Sequence, residues 1–234
     1  MATLYQRSTI GALLAGVYDG TETVGGLLRH GNFGLGTFNA LDGELVVLDG
    51  VAYQVTSDGR ASLVSHGKLT PFAAVTRFVA EHALPVEKPL RREDAAALIH
   101  EAGRSENITM AVRISGRFQH ILMRTVAAQT KPYPPLDEAT RGEVEVTLSD
   151  VVGVLVGFRT PEFEHSIGVA GYHLHFLSDD RETGGHMLDF TLASGEIALM
   201  EITDIHLSLP TSGAFLTADL DPTGGEDKIR AAEG

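Results

Sequence analysis

The sequence predicts an α+β protein made of two similar domains, each with a mixed or antiparallel sheet and few helices. Short apolar runs separated by Asp-Gly pairs fill residues 31–65, a pattern that is typical of a β-meander. Strand-like stretches recur on both sides of a proline-rich segment at 131–136, whereas helical spacing is confined to a few segments. This segregation favours α+β over a doubly wound sheet. The similarity of the two halves is consistent with duplication of one unit.

The first predicted element is a helix in the apolar run IGALLAGV, residues 10–17, with Ser8 or Thr9 as its N-cap. The run is too short to span a membrane, and it lacks a clear Ala-x-Ala cleavage pattern. We therefore expect a cytoplasmic protein with neither a signal peptide nor a membrane partner. The meander that follows is divided into four predicted strands, at 33–38, 44–48, 51–56 and 61–64.

Two longer helices are predicted after the meander. Thr70 and Pro71 offer an N-cap and a first-turn proline, and the apolar spacing behind them predicts a helix over residues 70–84. The segment REDAAALIHEAGR predicts another helix, which ends near Gly103.

The proline-rich segment KPYPPL reads as an extended linker, because proline fixes the backbone and cannot continue a helix. We place the domain boundary there, between an N-terminal domain at 1–130 and a metal-binding domain at 131–234. Before it, residues 107–130 predict two strands joined near Ser115 and Gly116. After it we expect a short helix in DEATRGEVE and then four strands: VTLSDVVGVLVGFRTP, GVAGYHLHFLSD, GGHMLDFTLASG and EIALMEITDIHLSLP.

Composition excludes several classes of function. The chain has 18 Lys and Arg against 31 Asp and Glu, a formal net charge of −13, so nucleic acid and anionic membrane surfaces are poor partners. It has no cysteine, which excludes disulfides, thiolate nucleophiles and cysteine-based zinc sites.

Three histidines lie close together in the segment GYHLHFLSDDRETGGHMLDF. His173 and His175 are two residues apart, so they share one face of a strand. If this segment is a hairpin with His175 opposite His186, all three imidazoles lie on that face, with Cβ atoms about 5 Å apart. Three histidines with open coordination positions are typical of a catalytic metal site. Zinc is the default ion, although Mn, Fe, Ni and Co also accept imidazole.

Competing motifs fit the sequence less well. A cupin places a glutamate three or four residues after His-x-His, whereas the next glutamate here, Glu182, follows six intervening residues. Neither His-Glu-x-x-His nor Gly-x-Ser-x-Gly occurs.

The glycine-rich segment at 30–44 is neither a dinucleotide fingerprint nor a P-loop. It predicts either tight β-turns or a close backbone approach to a ligand at Gly34 and Gly36, with Thr37 and Glu44 as side-chain contacts. Further on, Arg113, Arg117 and Arg124 lie on predicted strands, where a buried arginine needs a carboxylate from the protein or a substrate.

The chain resembles the α-acetolactate decarboxylase family in four segments that occur in this order: GNFGLGTFNALDGELVVLDG, TPFAAVTRF, KPYPPL and GYHLHFLSDDRETGGHMLDF. The resemblance implies two related α/β domains, a homodimer and a metal, usually zinc, bound by three histidines. It also implies conversion of (S)-2-acetolactate to (R)-acetoin and CO2.

Carried onto this sequence, the resemblance implies roles for individual residues. His173, His175 and His186 become the metal ligands, Glu44 and Arg124 become active-site residues, and Thr37 becomes a pocket threonine. The second active-site carboxylate matches Glu233, with Glu226 as the alternative.

These residue types suit the expected chemistry. A metal acts as a Lewis acid and electron sink for an enediolate, so no organic cofactor is needed. Arg124 would hold the substrate carboxylate, Glu44 would serve the metal or a proton transfer, and Glu233 would transfer the proton that sets the chirality. Two alternatives remain open: a non-catalytic sensor of oxo-acids or metal, and a cupin-type metalloenzyme or metal-dependent hydrolase.

Overall fold

The computed structural model describes residues 2–220 of the chain. Within this range strands greatly outnumber helices, which confirms the predicted α+β class. The strands are β1 Thr3–Arg7, β2 Glu22–Thr23, β3 Phe33–Thr37, β4 Glu44–Leu48, β5 Val51–Val55, β6 Ala61–Leu63, β7 Leu69–Thr70, β8 Ala73–Thr76, β9 His82–Val86, β10 Leu90–Arg91, β11 Thr109–Thr125, β12 Val144–Thr160, β13 Gly171–Ser178, β14 Gly184–Ile202 and β15 Asp204–Ser208. The helices are α1 Ile10–Leu14, α2 Val24–Leu27, α3 Arg92–Ala102, α4 Leu136–Ala139 and α5 Gly213–Thr217.

The first sheet has seven strands in the order β15-β1-β8-β3-β4-β5-β6. All of its neighbours are antiparallel except β1 and β15, which are parallel. Strands β3 to β6 are the predicted meander, which is confirmed. Asp49 and Gly50 have φ angles of 51° and 81°, the left-handed pair that a two-residue hairpin turn requires.

The helix predicted over 70–84 is wrong, since this segment forms β7, β8 and the start of β9. Strand β8 lies between β1 and β3 and is buried along its whole length. A strand covered on both faces reads as a continuous apolar run, and a short run of this kind is not distinguished from a helix by periodicity. Phe78, which lies in this segment after β8, stacks on Phe33 at 4.6 Å between ring centroids.

The second sheet is built on four strands that pair in a cycle, because β11 pairs with β12, β12 with β13, β13 with β14, and β14 with β11. Strands β9 and β10 add to β14. The predicted pair of strands within 107–130 is a single strand, β11, and two other predicted strands merge in β14. The rest of the last predicted strand becomes β15 and joins the first sheet.

Gly116, near which the sequence predicted a turn between two strands, instead lies inside β11, where it allows neighbouring strands to come close together. Gly116 lies opposite Gly153 on β12 and Gly195 on β14. Its φ is 152°, and a Cβ atom there would come within 2.2 Å of the Ser194 carbonyl oxygen. Only glycine allows the strands this separation.

The two sheets pack face to face. One apolar cluster joins Phe33, Leu35 and Val46 of the first sheet to Val156 and Phe158 of the second. Both sheets cross residue 130, because β11 pairs with strands that follow it and β15 pairs with β1. The division into domains at 1–130 and 131–234 therefore stays a prediction. The two sheets do not coincide with these two ranges, because each sheet contains strands from both.

The helices agree with the sequence in three places. The Thr9 side chain caps α1 by accepting a hydrogen bond from the Ala12 backbone N–H at 3.2 Å, although α1 ends at Leu14 instead of residue 17. Helix α3 ends at Ala102, next to Gly103 as predicted, and α4 is the expected short helix. Among residues 2–220, no helix has both the length and the apolar character that a membrane span requires.

Candidate active site

The three histidines of the sequence motif meet on one face of the second sheet. His175 on β13 lies directly opposite His186 on β14, which confirms the predicted register. The ring centroids of the three imidazoles are 5.1 to 5.4 Å apart, and one nitrogen from each ring lies within 4.8 Å of the others. All three side chains are buried.

The protonation of these rings fits a metal site. Burial lowers the pKa of His173 well below its usual range and that of His175 to about 4, so both are neutral near pH 7. The Nδ1 atom of His175 lies 3.0 Å from the Leu45 carbonyl oxygen. A hydrogen bond there requires the proton on Nδ1, which leaves the Nε2 lone pair directed into the cluster, 3.3 Å from Nε2 of His173. Neutral imidazoles held in this way suit a divalent ion.

Arg124 is the buried cation of the site. It lies on β11 directly opposite His186, and 5% of its surface is exposed. Its Nη1 donates to Glu143 Oε2 at 3.1 Å. Sequence reasoning missed Glu143, which lies 19 residues further along the chain and carries no motif. Only the pairing of β11 with β12, which places Thr125 opposite Val144, brings the carboxylate to the guanidinium.

Glu44 and Thr37 enter the site from the first sheet, where they are opposed on β4 and β3. Glu44 Oε2 lies 3.4 Å from His175 Nε2, and its side chain is 15% exposed. Burial raises the pKa of Glu44 to about 7, although the positive charge of Arg124 acts in the opposite direction. The Thr37 hydroxyl donates to the Gly43 carbonyl at 2.9 Å, which ties the two strands at the turn before Glu44.

These side chains line one pocket of about 490 Å³, counted to its open mouth. Its other wall is mostly apolar and was missed from the sequence: Leu13, Leu41, Phe72, Val126 and Leu136, with Thr140. Gly36, one of the two glycines predicted to approach a ligand, also lines the pocket. One residue of this wall, Leu136, comes from the proline-rich segment that was predicted as a linker. Tyr133 within it packs on Tyr18 and donates to Asp19 Oδ1 at 3.0 Å.

The pocket therefore unites all the predicted site residues that fall within the described range. Glu233 and Glu226 lie outside the described residues. Arg113 and Arg117, the other strand arginines, pair instead with the surface carboxylates of Asp49 and Asp150.

Comparison with known proteins shows the family to which the chain belongs. The family model described as alpha-acetolactate decarboxylase matches residues 4–222. The chain belongs to the alpha-acetolactate decarboxylase family. It is thus an enzyme of the carboxy-lyase class, as the sequence predicted.

Individual members of the family match over nearly their whole length. The alpha-acetolactate decarboxylase of Klebsiella aerogenes is 41% identical over 232 residues, which cover 99% of this chain and 89% of the relative. That of Methylococcus capsulatus is 45% identical, with 93% and 84% covered. The crystal structure of the alpha-acetolactate decarboxylase from Bacillus subtilis strain 168 superimposes with a TM-score of 0.97 at 38% identity, covering 99% of both chains.

Proposed function

We propose that this decarboxylase converts (S)-2-acetolactate to (R)-acetoin and CO2 in a metal-dependent reaction at the histidine pocket. One observation carries the proposal: three buried histidines, a buried arginine and a largely buried glutamate line the same cavity. This set matches the needs of the reaction, which must bind a carboxylate, stabilise negative charge on oxygen and deliver one proton.

The metal is proposed to be zinc, held by His173, His175 and His186. A divalent ion there would supply Lewis-acid stabilisation of the negative charge that develops on the substrate oxygens as CO2 leaves. The neutral rings and the hydrogen bond from His175 to Leu45 support this ligand set. No organic cofactor is needed.

Arg124 is proposed to bind the substrate carboxylate before it departs. A guanidinium matches a carboxylate through two parallel hydrogen bonds, and burial strengthens the attraction. Glu143 holds the guanidinium from one side, so Arg124 meets the substrate in a fixed orientation. The apolar wall reduces the water around the carboxylate, and this favours its loss as neutral CO2.

A carboxyl group must then protonate the carbon that has lost CO2. When that C–C bond breaks, its electron pair stays with the organic fragment, and one proton added to this carbon completes acetoin. Burial raises the pKa of Glu44 to about 7, so a substantial fraction of this carboxyl carries a proton near neutral pH. Because it also lies in the pocket, we assign it to proton transfer or to the metal. Glu233 remains our proposed proton donor, by family resemblance alone. A donor fixed on one side of the fragment yields a single enantiomer.

The test is acetoin and CO2 release from racemic 2-acetolactate, with the metal content measured before and after chelation. We expect activity without any organic cofactor, its loss on chelation and its recovery with zinc. A fully metallated protein that forms no acetoin would contradict the proposal and favour a sensor. The homodimer is also proposed from family resemblance; light scattering should give twice the 25.0 kDa of the chain.

A further inference from the structure

A second hollow, at β1 and β15 of the first sheet, is lined by cationic and aromatic side chains. It measures about 670 Å³ counted to its open mouth, and Tyr5, Arg29, His30, Arg77 and His206 line it. It shares no lining residue with the histidine pocket, and no carboxylate side chain lines it. The parallel pairing of β1 with β15 places Tyr5 directly opposite His206.

The aromatic rings that line this hollow pack against one another. The rings of Tyr5 and His30 are stacked, with centroids 3.7 Å apart and planes 5° apart. The His206 ring meets Tyr5 edge-on at 5.2 Å. The Tyr5 hydroxyl donates to Glu22 Oε2 at 3.4 Å, which fixes the phenol further. A ligand would therefore meet aromatic rings that are already packed against one another, and this reduces the entropy lost on binding.

The two arginines of the hollow are not neutralised by the described part of the chain. Arg77 Nη2 donates to the Arg29 carbonyl at 2.7 Å, and Arg29 Nη1 lies 3.4 Å from the Gly25 carbonyl. Within residues 2–220 neither forms an ion pair with a carboxylate. Arg117, by contrast, is an exposed arginine that is paired with Asp150.

Two guanidinium groups that line one hollow, and that form no ion pair within residues 2–220, are unexpected in a chain with a net charge of −13. Burial lowers the pKa of His30, and the nearby positive charges of His206, Arg29 and Arg77 lower it further, while Glu22 opposes them. The hollow is thus a local region of positive potential on an acidic protein, and such a region attracts anions.

We propose that this hollow binds a small phosphate-type oxyanion, either inorganic phosphate or a phosphate monoester. The guanidinium groups of Arg29 and Arg77 donate charge-assisted hydrogen bonds to its oxygens, since their planar forks match phosphate geometry. The imidazole of His206, which also lines the hollow, adds a donor. Because the site is open to solvent, binding weakens as ionic strength rises.

Calorimetric titration of the metal-loaded enzyme with inorganic phosphate, at low ionic strength, tests the proposal. We expect one site, with affinity reduced about tenfold in Arg77→Gln and in Arg29→Gln, because each loses a charged donor. The matched control Arg117→Gln, which removes an exposed arginine elsewhere, should bind as the wild type does. Acetoin formation by Arg77→Gln should also be unchanged.

Each outcome of the titration decides the proposal. Phosphate binding that is equally strong in Arg77→Gln, Arg29→Gln and the wild type would overturn it, and so would no binding at all. A parallel titration with glycerol 3-phosphate separates the two sources of the oxyanion. Equal binding indicates recognition of a phosphate ester, and binding of inorganic phosphate alone restricts the hollow to the free ion.

Discussion

Replacing Glu44 by Gln removes a largely buried ionisable group while keeping its shape. Burial raises the pKa of this carboxyl from 4.5 to about 7, even with Arg124 nearby. In the unfolded chain the group titrates near the lower value. At about 1.4 kcal/mol per pH unit, the difference between 4.5 and about 7 corresponds to about 3 kcal/mol of folding free energy.

The sign of this effect follows from proton binding in the two states. Below pH 4.5 the carboxyl is protonated in both states, and the stabilising contribution of the neutral form is fully present. Between pH 4.5 and about 7 the unfolded chain loses the proton while the folded chain keeps it. The free energy of unfolding therefore falls by about 3 kcal/mol as the pH rises through this window, and then levels off.

Urea denaturation of the chelator-treated wild type and Glu44→Gln, from pH 4.5 to 8, measures this fall. Glutamine does not ionise, so the stability difference should grow by about 3 kcal/mol in favour of the variant. Histidine titration in the unfolded chain is common to both proteins and cancels in the difference, and His175, whose pKa is about 4 in the folded protein, is mostly neutral over this range. Turnover of the metal-loaded variant should fall by about 10²- to 10⁴-fold if Glu44 transfers the proton. A stability difference that stays constant with pH would refute the buried, neutral carboxyl.

Three further changes test the site and the sheet. His175→Ala should empty the metal site, measured as metal per chain, since two ligands remain. Arg124→Ala should keep the metal and lower turnover at least about 100-fold, because a buried charged contact to the substrate is lost. Gly116→Ala should lower the free energy of unfolding by about 3 kcal/mol, measured by urea denaturation, because its Cβ would meet the Ser194 carbonyl oxygen.

Matched controls define what would contradict these expectations. Each control replaces the same type of residue as the variant it matches. Two of them, His100→Ala and Arg117→Ala, lie at exposed positions. The third, Gly142→Ala, lies where an added Cβ meets nothing within 4 Å. A His175→Ala protein with a full complement of metal would exclude it as a ligand. Unchanged kinetics in Arg124→Ala would remove the arginine from the reaction, and equal stability of the two alanine-for-glycine variants would contradict the close strand approach.

Local signals predicted part of the fold and the centre of the site. Asp-Gly pairs mark the meander because glycine readily adopts left-handed backbone, and at Asp49 and Gly50 both residues do so, as a type I′ turn demands. The alternation around His175 and His186 gave the correct pairing, since a shift of one residue would turn the imidazoles away. Glu143 could not be found in this way, because its contact with Arg124 depends on how two distant strands pair.

By itself the sequence determined the α+β class, the meander, the histidine hairpin and the family. Each of these depends on residues that are neighbours along the chain or recur as recognisable segments. Only the tertiary structure decided that residues 70–84 form strands, that β11 and β14 run unbroken, and that apolar side chains enclose the histidines. The physical reason is that burial on both faces erases the periodicity of a strand, and hydrogen-bond partners in a sheet are chosen by packing between segments far apart in sequence.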